Sequence, residues 1–138
     1  MVKLYKIGTL EKYDPYITAE SAGEYINGTF GTYVGTKFTA GEGFYVLMDV
    51  EKGDTAGTPD YKVKTGAQVR IANLAKLNGK ELQITPDNLP ATFAKGNKLV
   101  ADTTGKLKVN GSAVVPYLEV VDVINFDGTG AKVKIVTV

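Results

Sequence analysis

The chain has 138 residues, 43% hydrophobic and 22% charged, and its sixteen Lys and Arg against fifteen Asp and Glu leave a net charge of +1. A chain of that length forms one domain that can bury about two thirds of its unfolded surface without cross-links, and its composition excludes an intrinsically disordered polymer. It contains no His, Cys or Trp, which excludes Ser-His-Asp and Cys-His nucleophilic sites, disulfide frameworks, and thiolate or imidazole metal centres.

Sixteen Gly and five Pro interrupt the chain too often for a long helical pattern. Apolar residues recur with period two, and Val, Ile and Thr are abundant, as in half-buried pleated strands. Val2–Ile7 reads as the first strand. Residues 8–37 form a long Tyr/Gly-rich excursion with one short strand near Phe30–Val34, and Thr18–Ala22 suits a single helical turn capped by Thr18 and stopped by Gly23. Gly43–Val50 is a strand too continuously apolar to face water on either side. Glu51–Asp60 is a polar, turn-rich loop, and Tyr61–Lys64 alternates again.

Residues 67–138 are expected to form the hairpin-rich core. Ala67–Leu77 and Lys80–Ile84 flank Asn78-Gly79, the pair preferred in a type I′ turn, and a two-residue loop would set Lys76 opposite Glu81 and Ala75 opposite Leu82. Pro86–Pro90 is a loop with one tight turn. Lys98–Ala101 and Lys106–Val109 straddle the four-residue turn Asp102–Gly105, with Leu99, Ala101, Leu107 and Val109 inward and Lys98, Lys106 and Lys108 in water. Asn110-Gly111 turns the chain into Ser112–Val115. Tyr117–Asn125 and Ala131–Val138 form a closing hairpin through residues 126–130. On its first strand the apolar phase switches after Val120, and keeping both Glu119 and Asp122 in solvent requires one extra residue, hence a β-bulge near Val120-Val121. The fold class is all-β: a small antiparallel barrel or sandwich built from hairpins, forming one domain over residues 1–138.

Catalysis without His or Cys would rest on carboxylates, Lys or Tyr. Asp49, Glu51, Asp54 and Asp60 form the densest acidic group, but their spacing departs from a calcium loop and suits a solvated turn. Gly41-Glu42-Gly43 and Gly128-Thr129-Gly130 lack the third glycine and the long helix of a nucleotide fingerprint. No catalytic residue, metal site or cofactor is therefore assigned. Tyrosine is more informative, since seven of the eight lie within the first 61 residues. Tyr supplies contact area with one polar tip at low entropic cost. Tyr13, Tyr16 and Tyr25, in the least periodic stretch, are the candidate partner-binding residues, whereas about half of the Tyr rings are expected to pack beneath their own loops. A near-neutral chain whose only guanidinium is Arg70 has no field for nucleic acid. No apolar run approaches the ~18 residues of a membrane span, and the alternating start lacks the apolar stretch of a signal peptide, so folding in the cytoplasm is expected.

Three stretches carry a family resemblance: Phe38-Thr39-Ala40-Gly41-Glu42-Gly43-Phe44, Phe93-Ala94-Lys95-Gly96-Asn97-Lys98-Leu99-Val100-Ala101, and Thr104-Gly105-Lys106-Leu107. With the ending Tyr117–Val121 to Lys134–Val136, the C-terminal hundred residues or so resemble the small capsid decoration proteins of tailed bacteriophages and prophages. That resemblance implies a structural virion protein without enzymatic activity, made in the host bacterium and bound to the major capsid protein on the head exterior, as a homo-oligomer with a trimer favoured. A carbohydrate- or receptor-binding accessory module that uses Tyr rings as sugar platforms is the alternative, and an enzyme with two carboxylates is a third.

Overall fold

The computed structural model describes residues 2–4, 15–49, 61–124 and 130–138. Its strands are β1 (Val2–Leu4), β2 (Tyr16–Ser21), β3 (Tyr25–Ile26), β4 (Phe30–Val34), β5 (Lys37–Ala40), β6 (Tyr45–Leu47), β7 (Lys62–Val63), β8 (Gln68–Asn73), β9 (Glu81–Ile84), β10 (Lys98–Ala101), β11 (Leu107–Val109), β12 (Tyr117–Ile124) and β13 (Gly130–Val136). Single 3-10 turns cover Leu74–Lys76 and Pro86–Asn88. The protein is all-β. A closed barrel of five strands runs in the order β2-β5-β4-β6-β8, and a six-stranded antiparallel sheet runs in the order β1-β9-β13-β12-β10-β11. A β3-β7 ribbon stands beside them.

Where the barrel faces the sheet, at β6 and the adjoining ends of β4 and β8, its wall is buried on both faces. In register across β4, β6 and β8, Phe30, Val46 and Ala72 lie in one row and belong to the core shared with the sheet. Leu47 and Ile71 lie in the next row and join Ala19, Phe38, Val63 and Val69 in a second core inside the barrel. This double burial explains the unbroken apolar run at Tyr45–Leu47, because alternate side chains enter different cores. The strand is nonetheless shorter than the expected Gly43–Val50, and Val50 lies outside the described residues. Two glycines let the wall close. A Cβ on Gly31 would collide with the Thr39 carbonyl, and one on Gly43 would collide with the Gly31 carbonyl.

Residues 15–37 are more regular than expected. They hold β2, β3 and β4, and the Gly35-Thr36 turn joins β4 to β5, with Gly35 at φ +64 and Val34 opposite Lys37. Thr18–Ala22 makes no helical turn. β2 pairs with β8 from Tyr16 to Glu20 and with β5 at Glu20 and Ser21, burying Ala19 and Ser21. Barrel closure on both flanks outweighs the local helical preference of Ala19, Glu20 and Ala22.

The Asn78-Gly79 hairpin is also corrected. β8 stops at Asn73, whose Oδ1 accepts from the Ala75 N–H at 3.1 Å and caps the 3-10 turn. Leu74 and Leu77 are both buried, and a spacing of three suits a 3-10 turn, where i and i+3 share a face. Lys76 and Ala75 therefore never stand opposite Glu81 and Leu82. Glu81 pairs with Lys134 and Leu82 with Val133 on β13. The Asn-Gly turn carries the chain from barrel to sheet: the Gly79 N–H donates to the Ile135 carbonyl at 2.7 Å, and Asn78 Oδ1 accepts from the Thr137 N–H at 2.9 Å.

Much of the rest of the second half follows its pattern. β10 and β11 pair Leu99 with Val109 and Ala101 with Leu107, and the 3-10 turn at Pro86–Asn88 falls in the expected loop. The register of β12 against β13 shifts between Val120 and Asp122, where the bulge is expected, and it sets Glu119 opposite Lys134 and Asp122 opposite Lys132. The segment 125–129 of the closing loop lies outside the described residues. One inward assignment fails: Val109, at the end of the edge strand β11, is 41% exposed although it stands opposite the buried Leu99.

Candidate interaction surface

The two sheets meet at the tip of the β10-β11 hairpin. The Asp102 Oδ1 accepts from the Thr104 N–H at 2.8 Å, the Thr104 hydroxyl at 2.6 Å and the Lys106 N–H at 3.2 Å. Partial burial favours its neutral form, but these donors, with the Lys108 charge, outweigh that and hold the carboxyl below the usual aspartate range. The folded turn presents Gly105, whose carbonyl accepts from the Phe30 N–H at 2.8 Å.

Beside this seam the sheet and barrel diverge into a cleft of about 350 Å³. Phe30, Leu99, Leu107 and Leu118 form its apolar floor. Glu42, on the turn between β5 and β6, stands on the barrel side, and Lys108 and Asn110 stand on the sheet side. Ala113, Val114 and Pro116 close the outer wall. The segment after Asn110-Gly111 thus forms no strand over Ser112–Val115 but runs along the cleft. Of the five exposed large aliphatic residues among the described residues, Val109 (41%), Val114 (81%) and Val115 (43%) fall close together in the chain, and Val114 lines the cleft. An exposed apolar side chain in the lining of a partly apolar cleft is a feature of binding sites. In the sequence its only signal is Ala113-Val114-Val115-Pro116, an apolar run without the polar alternation of its neighbours.

The tyrosines occupy other places. Tyr13 lies outside the described residues. Tyr16 is half-buried on β2, packs against the shared core, and has the Arg70 guanidinium 4.4 Å over its ring. The Arg70 Nε donates to the Met48 carbonyl at 2.9 Å, so the sole guanidinium is held against the barrel. Tyr25 meets Phe38 edge-on at 5.8 Å, and Tyr33 and Tyr45 are tilted together, also at 5.8 Å. Tyr25, Tyr33, Tyr45 and Tyr61 all pack against the inner barrel core. The structure does not bring Tyr16 and Tyr25 to the cleft.

Of the acidic group, Glu51, Asp54 and Asp60 lie outside the described residues. Asp49 ties the barrel together: its backbone exchanges bonds of 2.8 and 3.0 Å with the Asn27 carboxamide, and its Oδ1 accepts from the Arg70 N–H at 3.2 Å. Gly41-Glu42-Gly43 is the turn after β5, and of the second glycine pair only Gly130 is described. Among the described residues no group of three His, Cys, Asp or Glu could hold a metal ion, and no helix is long and apolar enough to cross a membrane. No protein-family model matches the chain, and no curated protein matches it.

Proposed function

We propose that the protein is a structural virion subunit of the decoration type, which binds the major capsid protein on the head exterior and stabilises the lattice without a catalytic step or cofactor. The supporting observation is the cleft between barrel and sheet, with the exposed Val114 in its lining. An apolar anchor from the capsid subunit would fill the cleft, with Glu42 and Lys108 at the rim for its polar flanks. The closed barrel has no free strand edge of its own, which suits a protein used at high copy number, while the open sheet keeps β1 and β11 as edges. Association of several copies, a trimer in the favoured form, would add avidity to a modest single contact.

The test is titration of purified protein onto heads that lack it. The expected result is saturable binding at fixed stoichiometry, higher thermal resistance of the heads, and weakened binding by Val114→Asp. Absence of saturable binding would remove this reading. Glycan-array signals lost on Tyr16→Ala or Tyr25→Ala would move the assignment to a carbohydrate-binding accessory module.

A further inference from the structure

The chain contains three Asn-Gly pairs, Asn27-Gly28, Asn78-Gly79 and Asn110-Gly111. In such a pair the glycine nitrogen can attack the asparagine Cγ, because no Cβ on the second residue obstructs the approach. A new N–Cγ bond forms as the Cγ–Nδ2 bond breaks, and the amide leaves as ammonia. Water then opens the cyclic imide to aspartate or isoaspartate, with no change in oxidation state. The reaction requires a glycine N–H free to lose its proton and a carboxamide free to swing over that nitrogen.

Two of the three pairs are locked on both counts. The Gly28 N–H donates to the Leu47 carbonyl at 2.8 Å, while the Asn27 carboxamide is buried and bound at both ends to the Asp49 backbone. The Gly79 N–H donates to the Ile135 carbonyl at 2.7 Å, and the Asn78 carboxamide is held by the Thr137 N–H. Asn110-Gly111 differs. Both residues are exposed, no backbone hydrogen bond engages the Gly111 N–H among the described residues, and a Cβ at Gly111 would find no heavy atom within 4 Å. The Asn110 Oδ1 accepts from the Ser112 N–H at 3.1 Å, an exposed contact inside the same turn that opens whenever the turn does, whereas the Asn27 and Asn78 carboxamides are tied to Asp49 and Thr137 in distant segments.

We propose that Asn110 is a site of spontaneous deamidation through a cyclic imide, so that the native fold singles out one of three chemically identical dipeptides. Its product places a carboxylate on the sheet-side rim of the cleft, two residues from Lys108. This inference does not depend on the partner proposed for that cleft.

The test incubates the folded full-length protein at mildly alkaline pH and body temperature, with a parallel sample in concentrated urea, and follows each Asn-Gly peptide by tandem mass spectrometry. In the folded sample Asn110 is expected to convert about tenfold or more ahead of Asn27 and Asn78, which react only from locally opened states. In urea the three should convert at similar rates. Conversion of Asn27 or Asn78 as fast as Asn110 in the folded sample would overturn the proposal, as would an unchanged Asn110 while the urea sample reacts. The acidic species that accumulates on ion exchange should be lost in Asn110→Ala, and its persistence there counts equally against the assignment.

Discussion

The Phe30 N–H donates to the Gly105 carbonyl at 2.8 Å, joining the first residue of a barrel strand to the hairpin tip of the facing sheet. Gly105 sits at φ +85, and a Cβ there would lie 2.5 Å from the Phe30 carbonyl oxygen and 2.7 Å from Thr29 Cγ2. A side chain is opposed twice, by backbone conformation and by lack of space, and the atom in the way is backbone that cannot rotate aside.

Gly105→Ala should therefore destabilise the protein by about 2–4 kcal/mol, more than an ordinary surface change. Urea denaturation followed by circular dichroism checks this through a lowered midpoint. A loss below about 0.5 kcal/mol would mean the seam yields without strain.

Asp102 supplies a pH signature. Its carboxyl titrates lower in the folded protein than in the unfolded chain, so protonation binds the unfolded state more tightly. The stability it contributes is full above its unfolded pKa and is lost as pH falls through its lower folded value. Asp102→Ala should cost about 1 kcal/mol at neutral pH through the lost turn contacts. The gap between mutant and wild type should narrow as pH drops through the ordinary aspartate range and below. Paired denaturation curves at several acid pH values measure it, and a gap independent of pH would contradict the role given to the ionised form.

The solvent face of the sheet carries a row of alternating charge. Glu81, Lys134, Glu119 and Lys98 are directly registered across β9, β13, β12 and β10. Lys132 reaches Glu81 diagonally at 3.5 Å, and the Lys98 ammonium lies 4.9 Å over the Tyr117 ring. Glu119→Lys should place three cations in a line and cost about 0.5–1 kcal/mol at low salt. Added salt should shrink that loss, since the groups stand in water, and Lys134→Glu in the same chain should recover part of it. A salt-independent loss would point to packing instead of charge.

The C-terminal half was legible because its information is local. Asp102 and Gly105 specify the turn between β10 and β11. The three-residue spacing of Glu119 and Asp122 betrays the bulge, since a pleated strand cannot keep both in water otherwise. The cleft was nearly illegible: its floor comes from Phe30, Leu99, Leu107 and Leu118, residues distant in the chain that each look like ordinary core.

Local pattern alone determined that this protein is built of strands, where most of its second-half turns fall and, Val109 apart, which faces of β10 and β11 turn inward, because alternation and turn stereochemistry act over a few residues. The tertiary structure decided which strands meet. Closure of the barrel through the parallel β2-β5 pair, the use of Asn78-Gly79 as a crossing between sheets, and the opening beside Val114 all depend on contacts between distant segments. Such contacts are selected by the shared burial of side chains from both sheets, and no short stretch of sequence encodes that choice.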